Sequence, residues 1–211
     1  MGEALRLEAL GIGALVGVDL TLAPGEVLCL SGASGSGKSR LLRAIADLEP
    51  HEGEAWLGDT ARSSLPAHRW RARVMLVPAE SHWWAERVEE HLAVAPSEAD
   101  LAALGFADEV LGWEVARLSS GEKQRLALLR AVAVLDERPD EAAALLLDEP
   151  TANLDEAMTR AVEAWLRERL GERGWPTLWV AHDPGQIARV AKRHWHIEGH
   201  RLVERETRPW Q

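Results

Sequence analysis

The opening residues alternate apolar and polar side chains, LRLEAL and then VGVDLTL, before the turn-forming APGE. A period of two predicts a pair of short strands joined as a hairpin. GEVLCLSG is instead apolar almost throughout, as expected of a strand covered on both faces in a parallel sheet. The period then lengthens. Leu41, Leu42, Ile45 and Leu48 recur at helical spacing until Pro50, which gives strand, glycine-rich loop, helix. A strand is expected at ARVMLVP, and from Ser81 to about Arg117 the pattern turns helical, rich in Ala, Glu and Leu, with breaks at Pro96 and Gly105. Helix follows again from Ser120 toward Leu135, AAALLLDEP reads as a second buried strand, Glu156 to Leu170 as a helix, and TLWVAHD as a third strand. HWHIEGHRLVE alternates around Gly199 and predicts a terminal hairpin. The order is α/β: a mainly parallel core sheet, an N-terminal antiparallel β subdomain, and a short helical subdomain inserted over residues 81–135.

Composition narrows the class. A chain of 211 residues, 46% hydrophobic and 27% charged, buries a sizeable core and is read as one globular domain, 1–211. A net charge of -10 argues against a surface built to hold nucleic acid, so no specific nucleic-acid binding is expected. The longest apolar run, AAALLL at 142–147, falls far short of the ~20 residues of a membrane helix, and MGEALRLEAL does not resemble a secretion signal. The cytoplasm is the expected location. The single cysteine, Cys29, can form no intrachain disulfide and reads as a small buried hydrophobe. Ten tryptophans accompany one phenylalanine and no tyrosine, and residues 1–55 contain no aromatic side chain.

The chemistry starts at GASGSGKS, which fits the phosphate-loop pattern G-x-x-x-x-G-K-[ST] between a strand and a helix. The candidate nucleotide-binding residues are Gly32, Ala33, Ser34, Gly35, Ser36, Gly37, Lys38, Ser39 and Arg40. Glycines let successive N–H groups turn inward, and the helix that follows adds its positive end, so the main chain can hold a polyphosphate. Lys38 would reach the β- and γ-phosphates, and Ser39 would give its hydroxyl to Mg²⁺. A flexible Gly/Ser turn before a helix is the plainer alternative. LLLDEPTANLD places Asp148 and Glu149 at the carboxyl end of a buried strand, where ligands of parallel sheets gather. Asp148 would hold the magnesium shell, and Glu149 would polarise a water for in-line attack on the γ-phosphate. His182, after the third strand, either contacts the γ-phosphate or the water, or is a structural histidine.

RLSSGEKQRLALLRA discriminates among phosphate-loop machines. Leu118, Ser119, Ser120, Gly121 and Glu122 resemble the signature of ATP-binding cassette (ABC) ATPases, usually LSGGQ. The resemblance runs in order through the phosphate loop, this signature, the acidic strand, the D-loop-like ANLD ending at Asp155, and the switch histidine His182. Physically, the SSGE stretch can both cap a helix and approach a γ-phosphate. The resemblance implies a phosphate-loop NTPase core, ATP and Mg²⁺ as ligands, catalysis by Lys38, Glu149 and His182, and a head-to-tail homodimer whose signature closes on the partner's nucleotide. It also implies integral membrane permease subunits as partners and a location on the inner face of the cell membrane. Short subunits with GEKQR and LWV-x-HD resemble those paired with small permeases, including metal or iron exporters.

Three positions depart from the family pattern. No aromatic is present near the first strands to stack on adenine, which leaves Leu10 or Ile12 to contact the base and predicts weak purine discrimination. Ala79 stands where the family's Q-loop glutamine is expected, with Glu80 adjacent as a substitute. Ser120 replaces the first signature glycine. Trp83 and Trp84, at the start of the insert, are candidates either for core packing or for permease contact, with at least one expected to be exposed. His194, His196 and His200 lack the carboxylate or cysteine that would complete a ligand set and are expected on a solvated hairpin. Two rival functions remain: a soluble ABC ATPase outside transport, and a nucleotide-dependent regulatory module with weak turnover.

Overall fold

A computed structural model of the chain describes residues 2–206. The ends of the expected 1–211 domain, residue 1 and residues 207–211, lie outside the described residues. Two sheets share one apolar layer. The first is antiparallel, in the order β2-β1-β4-β5, from β1 (Leu5–Ile12), β2 (Leu15–Leu22), β4 (Glu52–Leu57) and β5 (Thr60–Ala61). Its register aligns Leu5 with Leu22 and Leu57, and Leu7 with Leu20 and Ala55, so the apolar members of each strand share one face. The second sheet runs β10-β9-β3-β8-β7-β6. Its strands are β3 (Val27–Gly32), β6 (Val74–Val77), β7 (Ala144–Asp148), β8 (Thr177–Val180), β9 (Arg193–Glu198) and β10 (Arg201–Arg205). All its pairings are parallel except β9 with β10.

The uninterrupted apolar strands are explained by two cores. Leu28, Leu30, Leu146, Leu178 and Val180 face the first sheet together with Leu41, Leu42 and Ile45 of α1 (Lys38–Ile45). Cys29, Leu145, Leu147 and Trp179 face the opposite way, onto α4 (Ser120–Asp136) and α5 (Glu156–Arg173). A strand buried on both faces has no polar alternation to show. Cys29 is fully buried, and that burial pushes its thiol pKa far up, as an inert hydrophobe requires.

Several expectations need correction. α1 ends at Ile45, not near Pro50: Asp47 takes a left-handed φ of 57°, and Leu48 is exposed instead of completing the core face. Trp70, in the short α2 (Ala67–Arg71), donates Nε1–H to the Ile45 carbonyl at 2.8 Å and so satisfies the helix end. The 81–117 stretch is not continuously helical. It contains α3 (Glu98–Ala103) and single 3₁₀ turns at Glu89–His91, Asp108–Gly112 and Val115–Arg117. Segments this short cannot sustain a helix from their own propensity, and tertiary contacts set their shape instead. Asp100, for example, accepts Trp165 Nε1–H at 2.7 Å and pairs with Arg169, both on α5. The terminal hairpin forms as expected, but β9 also joins the parallel sheet beside β3.

Candidate functional site

The phosphate loop leaves β3 and enters α1. Gly35 and Gly37 have φ of 76° and 102°, a region L side chains avoid, and Ser36 N–H closes a turn on the Ala33 carbonyl at 3.1 Å. Lys38 folds back over this turn: Nζ donates to the carbonyls of Gly32 and Ala33 at 2.9 and 3.0 Å. Burial lowers the Lys38 pKa, and the nearby carboxylates of Glu149 and Asp148 oppose that shift. Ser36 Oγ is buried and has no hydrogen-bond partner among the described residues, the condition of a group waiting for an external acceptor or donor.

The other wall comes from β7 and β8. Asp148 ends β7, is 5% exposed, and has its carboxyl pKa raised by burial and by Glu149, with Ser39 pulling the other way. Glu149 follows with φ 48°, a strained value for a non-glycine residue that persists only where its surroundings over-determine it. Its Oε1 lies 2.8 Å from His182 Nε2. A cavity of about 230 Å³ lies between these walls, lined by Ser34, Gly35, Gly37, Lys38, Ser39 and Arg40 on one side and Glu149 and His182 on the other. Arg40, although at the rim, is paired with Glu49 at 2.7 Å. Ser39 and Asp148 supply only oxygen donors, and Asp148 is buried beside a second carboxylate. That set fits a hard divalent cation such as Mg²⁺.

The signature tip is built by helix capping. Ser119 Oγ accepts Glu122 N–H at 3.2 Å, and Glu122 Oε2 accepts Ser119 N–H at 2.8 Å, a reciprocal capping box. Leu118 is buried and Ser120 exposed. Gly121 is pressed against the D-loop, where a Cβ would meet the Asn153 carbonyl oxygen at 2.8 Å. Asp155 caps α5 by accepting Met158 N–H at 2.8 Å. None of residues 118–122 lines the cavity in its own chain.

A family profile for "ABC transporter" matches residues 15–152, more than half of the chain. The chain belongs to the ABC transporter family. Among curated relatives it is 36% identical to the sulfate/thiosulfate import ATP-binding protein CysA 1 of Rhizobium meliloti, over 90% of this chain and 58% of that protein. It is 38% identical to the Fe(3+) ions import ATP-binding protein FbpC of Streptomyces avermitilis, over 87% and 55%. It is 39% identical to the aliphatic sulfonates import ATP-binding protein SsuB of Ralstonia nicotianae, over 90% and 66%. The chain thus spans between about half and two thirds of the length of these relatives. Among solved structures, a dimeric ATP-binding cassette in a post-hydrolysis state with ADP and Pi matches at TM-score 0.80 and 23% identity, covering 98% of this chain and 100% of the other. A bacterial Atm1-family ABC exporter with ATP bound matches at 0.79 and 22%, covering 96% and 38%. Both agree with the expected α/β cassette fold.

In this ABC cassette the departures from pattern acquire positions. Leu10 and Ile12 are 0% and 6% exposed, so neither can face a base, because the inter-sheet core consumes them. Val16, 64% exposed on the same hairpin, is a large apolar side chain left outside, next to Leu15, which packs over Gly37. Glu80 is exposed after β6. His194 and His196 are half-buried, not solvated, and both rings hydrogen-bond Ser31 Oγ at 2.7 Å. Trp84 is 71% exposed, while Trp83 is half-buried. Both rings pack on His91, whose Nε2 accepts the N–H groups of Trp84 and Ala85 at 2.8 and 2.9 Å, and Arg130 lies 5.0 and 5.2 Å from the two ring centroids. No spacing in the sequence pointed to His91 or Arg130. The buried Thr151, Gln186 and Glu163, with the partly exposed Arg189, form a polar cluster beside Glu149 and His182 that the sequence does not mark either. Among the described residues, no helix is long and apolar enough to cross a membrane.

Proposed function

We propose that this chain is the ATP-binding and ATP-hydrolysing subunit of a membrane ABC transporter, working as a head-to-tail homodimer on the cytoplasmic face. The observation that carries the reading is the 2.8 Å contact between Glu149 and His182 across a 230 Å³ cavity from Lys38 and Ser39. The loop N–H groups and Lys38 bind the triphosphate, and Lys38 trades its two backbone carbonyl acceptors for phosphate oxygens. Ser39 and Asp148 would hold Mg²⁺, which when bound draws off phosphate charge. Glu149 accepts a proton from the attacking water, and His182 orients Glu149 and the γ-phosphate. The tip, with Ser119 and Ser120 exposed and Gly121 buried behind them, is left to serve a second copy's nucleotide, with Asp155 at the same seam. Sulfate, sulfonate or ferric-ion import, the work named for its relatives, is within the class, and the cargo would be set by the membrane subunit.

The surface formed by Trp84, Trp83 and Arg130 supports the permease contact. Beside it lies a groove of about 300 Å³ lined largely by apolar groups that include Met75, Val77, Pro78 and Ala131. An exposed tryptophan next to a groove is a strong interface anchor. Val16 offers the base an apolar contact without a ring, so ATP and GTP should bind within about tenfold of each other. Phosphate release from Mg-ATP, with and without the co-purified membrane subunit, tests the whole reading. Turnover that disappears in Lys38→Ala and rises with the membrane subunit supports it. A wild-type rate no higher than Lys38→Ala would instead favour a regulatory module, and turnover indifferent to any membrane protein a soluble ATPase.

A further inference from the structure

Behind the Glu149–His182 pair lies a polar cluster that the binding of nucleotide does not use. Gln186 is 7% exposed, Thr151 8% and Glu163 3%. The Gln186 side-chain amide donates one hydrogen to Thr151 Oγ1 at 2.8 Å and the other to Glu163 Oε1 at 3.0 Å. Arg189 closes the cluster by a two-pronged contact with Glu163, Nε to Oε2 at 2.9 Å and the second nitrogen to Oε1 at 2.7 Å. That contact raises the Arg189 pKa and makes the buried group neutral as a whole.

The connections matter because of what each end carries. Thr151 belongs to the turn that follows Glu149, in which Ala152 N–H bonds the Glu149 carbonyl at 3.2 Å and Leu154 N–H bonds that of Thr151 at 3.2 Å. That turn contains the strained φ of 48° at Glu149. Gln186 sits in α6 (Pro184–Val190), whose first turn is fixed by Asp183 Oδ1 accepting Gln186 N–H at 2.6 Å. Asp183 directly follows His182. The Gln186 amide therefore bridges the segment bearing the carboxylate and the segment bearing the histidine. The cleft of about 540 Å³ on this face is lined by Glu149, Thr151, His182, Gln186 and Arg189 together. The single Gln186 amide nitrogen offers one donor to each of the two acceptors at this point. A leucine would orphan the Thr151 hydroxyl, and a glutamate would set a second carboxylate against Glu163.

We propose that Gln186 is a positioning residue for hydrolysis: by tying Thr151 to the Glu163–Arg189 pair it holds the Glu149 turn against the His182 segment and fixes their contact. The inference rests on Glu149 and His182 acting in hydrolysis. It is tested by steady-state kinetics and ATP-binding stoichiometry on Gln186→Leu and on the near-isosteric Thr151→Val, with Thr151→Ser and Glu149→Gln beside them. The expected result is a kcat lower by about tenfold or more in Gln186→Leu and Thr151→Val, with KM within about twofold of wild type and full ATP stoichiometry. The double variant should be no worse than either single one, and Thr151→Ser should recover most of the loss. If Gln186→Leu does not fold, Thr151→Val and its serine rescue decide alone. Unchanged kcat, a loss that follows reduced binding stoichiometry, or a double variant whose losses multiply would each overturn the inference. Glu149→Gln separates the two levels. Normal turnover in that variant removes the underlying assignment, whereas an inactive Glu149→Gln beside fully active Gln186→Leu and Thr151→Val removes this inference only.

Discussion

The strand ends around Glu149 and the 81–117 insert hold their side chains in different ways. At the strand ends, every residue of β7 and β8 is buried, and Glu149 and His182 follow within two residues of strands that the two cores hold on both faces. In the insert, only one short α-helix forms, and the surface is fixed by rings and cations: Trp83, Trp84, His91 and Arg130. The difference is physical. Chemistry on a phosphate needs atoms held to a fraction of an ångström, which packed strands supply. A surface for meeting another protein needs exposed anchor area, which costs stability little to present or remove.

Stability measurements probe that contrast at its widest. Leu147→Ala, in the strand before Asp148, is expected to lose about 2–5 kcal/mol of unfolding free energy in urea. Trp84→Ala should lose no more than about 0.5 kcal/mol and yet weaken stimulation by the proposed membrane subunit. Equal losses would erase the distinction between the two regions. Glu149→Gln should lower turnover by about 100-fold or more with ATP binding retained, because it removes the proton acceptor without changing shape. A turnover within tenfold of wild type would move the reactive group elsewhere. Ser119→Ala should lose about 1 kcal/mol from the α4 capping box, seen as a lower urea midpoint. No change would mean that the helix tip is held by Gly121 against Asn153 alone.

The smallest effect concerns His194. Burial lowers its pKa from the ordinary 6.5, with the neighbouring charges of His196 and Arg205 acting in the same direction. The unfolded chain therefore binds more protons than the folded one as pH falls through that ordinary value. Stability is complete above it and declines below. His194→Gln should flatten this part of the urea-midpoint profile between pH 7 and 5, and an unaltered slope would place the acid sensitivity elsewhere.

Legibility in the sequence followed the same division. β3, β7 and β8 were readable because burial on both faces leaves an unbroken apolar run, and the loop and carboxylates lie at their ends in a fixed order. β4 and β5 carry no such mark, because Trp56 sits between Ala55 and Leu57 and breaks the apolar–polar alternation, and β5 is only two residues long. The insert misled because Ala, Glu and Leu favour helix locally, while contacts with α5 and α4 set its turns. Glu163 was invisible for the opposite reason. An acidic residue in a long helix looks solvated until its arginine, 26 positions later, is brought against it.

The central claim is that two copies clasp ATP between the phosphate loop of one and the Ser119–Gly121 tip of the other. Light scattering on size-exclusion chromatography of Glu149→Gln with Mg-ATP tests it most directly, compared with the same variant carrying Ser120→Arg at the exposed tip. The account predicts a dimer for the first and a monomer for the second at equal nucleotide. A Glu149→Gln chain that stays monomeric with saturating ATP, or a dimer indifferent to arginine at position 120, would contradict it.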